Sequence, residues 1–421
     1  MRAKYPAPMA KLRVLFLNDT SRNGGPGRSL YYILKFLDPA VVHRAVVLPR
    51  TGVLSELYEG SAERVADELF FEDTLVENPV EPWSRAMERT DFDANPLLKG
   101  VRLVGNVGRG ARAIRRLAGL MRRGRYDLLY CNGTNADFFG GAVARLSGAP
   151  ALWHVRYTSV PKALAGVHDR LAASEGVRRI VCVSGASAAL FPHCPEKVRV
   201  VHNALDPDDF GAAAPEPVLR RELGLPEGTI VFGSQGRILP RKGYMELIAA
   251  SKLALARMTA AERERVHVAV IGDTPEDYTP DHLAECRARV RALGIERHVT
   301  FLGFRADVRP YVADFDVAIV PSVYADPLPR AVIESMAMGK PVAAFDVGGV
   351  AEMLRAGETG TLVAGSPPDV QGLADAMLRY FRDPALRAQH GRAGRARVER
   401  DFSAHHQAKI IQEEIERAAR R

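Results

Sequence analysis

Short apolar runs recur along this chain, each followed by a stretch with helical spacing, and the alternation is played out twice. LRVLFL (12–17) and the runs over 45–48, 128–131, 151–155, 179–183 and 198–202 form the first series. Runs of about four to eight apolar residues bounded by turn residues read as buried strands. Segments such as 136–146 and 161–174 read as the helices between them. Strands alternating with helices in this way make a parallel sheet covered by helices. The chain then turns polar and rich in Pro and Ala over VHNALDPDDFGAAAPEP (201–217), and a second series begins with TIVFGSQ (229–235). RVHVAVIGD, HVTFLGF, FDVAIVPS, PVAAFD and GTLVAG continue it. At 421 residues the chain exceeds one compact core, so two domains are expected. The reading is an α/β protein with domains at 1–205 and 206–402 whose sheets face across a cleft. A charged helical tail over about 403–421 is expected to cross back to the first domain. Ligands of open α/β sheets bind at the carboxyl ends of the strands.

Composition removes several classes. No window holds about 18 uncharged apolar residues, so no membrane span is expected. The start, MRAKYPAPMAK, lacks the apolar core of a secretory signal. Cys131, Cys182, Cys194 and Cys286 are widely spaced, which suggests neither a zinc site nor a disulfide framework and fits a reducing cytoplasm. Net charge is +8, but no aromatic and basic pattern of a nucleic-acid module accompanies it, and no nucleic-acid partner is expected. The segment over 109–125 is a basic amphipathic helix, with Ala113, Leu117, Leu120 and Met121 on one stripe flanked by Arg109, Arg112, Arg115, Arg116, Arg122 and Arg123. It reads as an ordinary domain helix with a solvated arginine face, or as a helix lying on an anionic membrane.

The candidate chemistry sits after predicted strands. NDTSRNGGPGRSL places Gly24, Gly25 and Gly27 between a strand and a helix expected over 29–37, an arrangement that suits an anion. GRILPRKG places Arg237 and Lys242 after another strand; they read as a solvated basic turn or as a diphosphate site. DPLPRAVIESMAMGKP (326–341) reads as a helix over 328–338 with Asp326 as N-cap, Pro327 at the first position and Gly339 ending it. Glu334 lies inside that helix. Its two oxygens suit adjacent hydroxyls of a ribose, and an ion pair with Arg330 is the alternative. Together these groups describe a nucleotide-sugar site.

The run PSVYADPLPRAVIESMAMGKPVAAFDVGGVAEML resembles the signature of the retaining family 4 glycosyltransferases of the GT-B fold. Two acidic residues separated by seven others, here Asp326 and Glu334, are followed by a small-residue stretch and a loop with Gly348, Gly349 and Glu352. GRILPRKG, HVTFLGF, NGGPGRSL, the histidine of LWHVR and VHNALD also resemble family positions. The resemblance implies two Rossmann-like domains. It implies that Arg237 and Lys242 hold the donor diphosphate, Glu334 the ribose and Asp326 the hydroxyls of the transferred sugar. His154 would lie by the C6 side of that sugar, Gly25 by phosphate or acceptor, and Phe304 and Arg305 by the base. Transfer would proceed with retention, without cofactor or metal, so the aspartates of the DFD triplets at 91–93 and 314–316 are not expected to bind one.

Two residues depart from the family pattern. Asp326 stands where Glu is usual. Pro329 stands where Gly is common and offers no N–H, leaving the amides of Leu328 and Arg330 to the ligand. The expected function is transfer of a sugar from a nucleotide-diphosphate-sugar to a sugar, polysaccharide or lipid-linked acceptor, in surface polysaccharide or glycolipid assembly. It is expected in the cytoplasm or at the inner face of the membrane. A nucleotide-sugar epimerase or a non-catalytic nucleotide-sugar-binding protein of the same fold is the alternative.

Overall fold

The computed structural model describes residues 11–21, 24–60, 64–75, 96–211, 215–275 and 278–420, and for 96–107 the backbone alone. Asp91 and Asp93 lie outside the described residues. The chain forms two units, Met1–His202 with Ala404–Arg421, and Asn203–Ser403.

The first unit is built on seven strands: β1 (Leu12–Asn18), β2 (Val42–Leu48), β3 (Glu68–Phe71), β4 (Leu128–Asn132), β5 (Ala151–Val155), β6 (Val177–Cys182) and β7 (Val198–Val200). They lie in the order β3-β2-β1-β4-β5-β6-β7, with every pairing parallel. This is a doubly wound sheet whose order reverses between β1 and β4, where ligands of such sheets bind. Helix α1 (Gly25–Phe36) follows β1 and starts four residues before the expected 29. Pro26 explains the early start: in the first turn its missing N–H forfeits nothing. Helix α2 (Val53–Glu59) follows β2.

Helix α3 (Pro96–Arg123) carries the arginine segment. Ala113, Leu117 and Met121 are buried in the domain core, while Arg109, Arg112, Arg115, Arg116, Arg122 and Arg123 are exposed. The apolar stripe is therefore consumed by the fold, and an arginine face remains. Helices α4 (Thr134–Ser147) and α5 (Lys162–Ala173) complete the wrapping. The last helix, Ala404–Ala419, packs on this unit through Ile411, Ile415 and Ala418. Arg179 Nε meets Glu414 Oε2 at 2.6 Å, and Arg417 Nη1 reaches Glu414 Oε1 at 2.7 Å, so the buried carboxylate is doubly paired.

The second unit has six parallel strands: β8 (Ile230–Gln235), β9 (Val266–Ile271), β10 (Val299–Phe301), β11 (Val317–Val320), β12 (Val342–Asp346) and β13 (Gly360–Ala364). Their order is β10-β9-β8-β11-β12-β13. Helices α6 (Tyr244–Ala256), α7 (His282–Leu293), α8 (Arg330–Ala337), α9 (Val370–Arg382) and α10 (Pro384–Asp401) cover it. Both units are thus Rossmann-like.

Helix α8 corrects the expected helix over 328–338. Pro329 disfavours helical geometry in the residue before it, so Leu328 stays out and Pro329 itself is the N-cap, with φ −66° and ψ 116°. Asp326 is three residues too early to cap and its carboxylate goes elsewhere. Gly339, at φ 68°, follows the end of the helix as expected.

Candidate functional site

The second unit gathers charge at the carboxyl end of β8. After Gln235 the chain passes Gly236 and Arg237 and makes a tight turn over Pro240–Lys242 before α6 begins. Gly243 sits at φ 73°, and a Cβ there would lie 1.7 Å from the Pro321 carbonyl oxygen. Only glycine allows the turn to press this closely on the segment after β11. Val323 N donates to Arg241 O at 3.0 Å and locks the two segments together.

Lys242 is thereby aimed at Asp326, with Nζ 2.5 Å from Oδ2. Asp326 is 5% exposed, so its charge needs this partner. The backbone of Asp326 is fixed from below: Gly349 N donates to its carbonyl at 2.9 Å. A Cβ on Gly348, at φ 56°, would lie 2.1 Å from that oxygen. The glycine pair of the GGVAEM loop therefore exists to let that loop approach Asp326. Beside them Tyr324 lies under Arg241 and Lys242, 5.1 and 5.3 Å from its ring centre. Burial, with Asp326 adding to it, pushes the Tyr324 phenol up, and the charges of Arg241 and Arg237 oppose the rise.

Glu334 sits on α8 at 7% exposure with both oxygens engaged. Oε1 pairs with Arg330 Nε at 3.1 Å, and Oε2 accepts from Gln235 Nε2 at 2.8 Å. The ion pair weighed as the alternative for Glu334 is therefore present, and Gln235, which the motif reading did not single out, is a second partner. Each carboxylate oxygen keeps a further lone pair, so the pairing orients Glu334 without exhausting it. Arg330 Nη1 also donates to Ala204 O at 3.1 Å, and Asn203 Nδ2 to Leu328 O at 3.3 Å. The linker segment is thus tied to the start of α8.

Phe304 is 59% exposed on the loop after β10. Arg305 does not join the cluster: its guanidinium pairs with Glu222 Oε1 at 2.6 Å and donates to the Tyr311 hydroxyl at 2.7 Å. The second DFD triplet is structural. Asp316 Oδ2 accepts from Arg220 Nη2 and from Val231 N, both at 2.7 Å, and Asp314 Oδ2 from Arg220 N at 3.0 Å.

In the first unit a polar row crosses the sheet at its carboxyl edge. Register places Asn18 beside Asn132 and Asn132 beside His154, all buried. Two residues deeper, the same face carries Phe16, Tyr130 and Leu152. Asn132 Nδ2 donates to Asn18 Oδ1 at 2.5 Å and to Pro26 O at 3.2 Å. Arg156 Nε donates to Asn132 Oδ1 at 2.7 Å, and Asn18 Nδ2 to Thr20 O at 2.6 Å. Asp19 accepts from Asn135 N at 3.0 Å at the start of α4. Gly25 is exposed at the first position of α1, one residue from Pro26. Burial, and secondarily Arg156, hold His154 well below the usual histidine range. Of this row the sequence reading found His154 alone. The signal for the rest was the polar residue ending each apolar run, in LFLN, LYCN and LWH.

Comparison with known proteins bears on what this arrangement serves. The model of Glycosyl transferases group 1 matches residues 216–397, and that of Glycosyltransferase Family 4 matches 81–209. D-inositol 3-phosphate glycosyltransferase of Kribbella flavida is 30% identical over 67% of this chain and 69% of its own length. 2-Deoxystreptamine glucosyltransferase of Streptomyces kanamyceticus is 32% identical over 52% of this chain. The match spans about half of that relative, 54% of its length. Among solved structures, Anabaena HepE in complex with UDP and glucose superposes with a TM-score of 0.75 at 23% identity, over 96% of this chain and 100% of that one. Sucrose-phosphate synthase from Thermosynechococcus elongatus superposes with a TM-score of 0.73 at 19% identity, over 97% and 99%. The two Rossmann-like units are those of the GT-B fold, and the chain belongs to the glycosyl transferases group 1 family.

Proposed function

We propose that this chain transfers a sugar, with retention of anomeric configuration, from a nucleoside-diphosphate-sugar to a hydroxyl of a sugar, polysaccharide or lipid-linked acceptor. The observation that carries the reading is the pairing of Lys242 with Asp326 and of Gln235 with Glu334 at the carboxyl end of β8, with Arg237 two residues beyond that strand and the segments held together by Gly243 and the Gly348–Gly349 loop. Such a cluster offers cations where a diphosphate leaves and carboxylates where hydroxyls must be gripped, so it works by positioning and by electrostatic stabilisation. In this reading Glu334, oriented by Gln235 and Arg330, takes the ribose. Asp326 exchanges part of its contact with Lys242 for a sugar hydroxyl, and Lys242 and Arg237 turn to the diphosphate. The amides of Leu328 and Arg330 flank Pro329 at the same edge, and Phe304 offers its exposed ring to the base. In the same reading His154 takes the C6 side of the sugar, and Gly25 takes phosphate or acceptor.

HepE is a protein crystallised with UDP and with UDP-glucose, and the same class of donor is proposed here. The named relatives act on a deoxystreptamine and on an inositol phosphate; acceptors of this chain are placed in the wider class of hydroxylated sugars and glycolipids, in surface polysaccharide or glycolipid assembly. The four buried, unpaired cysteines suit a reducing compartment. The exposed arginines of α3 would give contact with an anionic membrane surface by charge alone. No described helix is long and apolar enough to cross a membrane.

The test is sugar transfer with a panel of nucleotide-sugars and acceptors. Arg237→Ala and Lys242→Ala are each expected to lose most activity, while EDTA leaves the wild-type rate unchanged. Wild-type rates in both variants would refute the roles given to these cations, and loss of activity in EDTA would refute the metal-free reading.

A further inference from the structure

The ring of His154 has a defined proton. Its Nδ1 faces two groups: the Tyr130 hydroxyl, in close hydrogen-bond contact, and Arg156 Nη2 at 3.4 Å. A guanidinium has donors and no acceptor. Nδ1 must therefore be the bare nitrogen of the pair, accepting from Arg156 and from the Tyr130 O–H. A neutral imidazole with Nδ1 bare carries its proton on Nε2. Nε2 is buried and makes no hydrogen bond among the described residues. His154 is 2% exposed, so this donor is held ready at the carboxyl edge of the sheet and unspent.

The surroundings keep the arrangement from reversing. Arg156 is oriented by Asn132 Oδ1, whose own amide is turned by Asn18 and by the Pro26 carbonyl. The direction of every hydrogen bond in the row is consequently fixed from Arg156 to Thr20. Tyr130 is pinned edge to face against the imidazole, 5.7 Å between ring centres at 78°, with Phe16 packed on its other side at 4.9 Å. Burial pushes the Tyr130 phenol well up, which keeps its proton available to donate. Burial and the Arg156 charge push the imidazole down, so it stays neutral where an isolated histidine would begin to charge.

We infer that Tyr130 and Arg156 are positioning residues: together they hold His154 as the Nε2–H tautomer, a neutral donor for an oxygen of the sugar. The inference rests on the proposed function for the identity of the ligand, and on the row itself for the proton. His154 in this state binds and orients; it does not deliver a proton to the reaction.

The test is the 15N spectrum of protein labelled at its histidines, with the His154 resonances assigned by their loss in His154→Gln. Wild-type protein is expected to show Nε2 protonated and Nδ1 bare from about pH 8 to about pH 6, the range where an unperturbed histidine titrates. Adding UDP-glucose should shift the Nε2 resonance more than UDP does. Tyr130→Phe, which keeps the ring packing, should admit the Nδ1–H tautomer; Arg156→Gln is the second variant with the same expected effect. In UDP release from UDP-glucose, Tyr130→Phe should lower kcat/KM about tenfold, the value of one hydrogen bond. It should have no added effect in a His154→Gln background, because an amide cannot tautomerise. A wild-type ring protonated at Nδ1, or an equal loss from Tyr130→Phe in both backgrounds, would overturn the inference. If wild-type protein ignores UDP-glucose and every other nucleotide-sugar, the proposed function fails, while the ring spectra still decide the positioning.

Discussion

At the scale of single residues, the departure at Asp326 has a structural consequence. A carboxylate one methylene shorter than Glu reaches Lys242 at 2.5 Å and settles there at 5% exposure. A charge-assisted hydrogen bond of this kind is worth about 1.5–3 kcal/mol. Asp326→Ala is expected to lower thermal stability by that order, because it leaves Lys242 without its partner, and to cut kcat/KM about ten- to a hundred-fold. Undiminished activity in that variant would remove Asp326 from the site. Gln235→Ala tests a residue that no motif pointed to. It frees one oxygen of Glu334 and is expected to raise KM for the donor about five- to ten-fold with kcat nearly unchanged, the pattern of lost ground-state binding. The types of residue at the site were legible in the sequence, since Arg237, Lys242, Asp326 and Glu334 stand in recognisable strings. Their partners were not. Gln235 lies 99 positions from Glu334 and Lys242 lies 84 from Asp326, separations that only the strand order brings together.

At the scale of elements, the tight turns carry the most sensitive geometry. Gly243→Ala places a Cβ against the Pro321 carbonyl at a φ of 73°, and Gly348→Ala does the same to Asp326 O at 56°. Each is expected to cost about 1–3 kcal/mol in strain alone, and to impair donor binding because Lys242 or Asp326 must move with the backbone. Denaturant unfolding alongside donor titration would check this; a variant with wild-type values in both would show that the close approach is unimportant. The strands were legible because both faces of a parallel sheet are buried and each reads as an apolar run. Helix starts were less so. The start of α1 moved forward to Gly25 because Pro26 tolerates a first turn, and α8 began late because Pro329 restrains Leu328. The same residue type acted in opposite directions according to its place relative to the first turn. The polar row Asn18–Asn132–His154 was hidden as a row for a different reason: it is a feature of register between strands, and Asn18 and Asn132 are each one unremarked residue at the end of a run.

At the scale of the whole molecule, buried histidines set the response to acid. His154, His168, His267 and His390 are all held below the usual histidine range by burial, His267 down to about 4. Well above about pH 6.5 these rings are neutral in both folded and unfolded chains and take nothing from stability. As pH falls below that value the unfolded chain takes up protons that the folded one refuses. Each such ring then removes about 1.4 kcal/mol per pH unit until its folded pKa is passed. Unfolding midpoints in guanidinium are therefore expected to drop between about pH 6.5 and about pH 4, the range bounded by those two values; a flat profile there would mean the rings are not buried as described. The parallel α/β sheets and the packing of the last helix on the first unit were expected from the alternation of elements and the charged tail, while the strand order of each sheet is read from the structure alone. What the alternation could not carry was the use of the molecule, and the use proposed for it rests on the cluster after β8. Thermal unfolding against a panel of nucleoside diphosphates and nucleotide-sugars tests that claim most directly. A donor at a hundred times its dissociation constant should add about 2.7 kcal/mol and raise the Tm of the second unit, Asn203–Ser403, by about 5–10 °C in the wild type, and by far less in Glu334→Gln. If no member of the panel raises Tm, or if Glu334→Gln responds as the wild type does, the carboxyl end of β8 is not a nucleotide-sugar site.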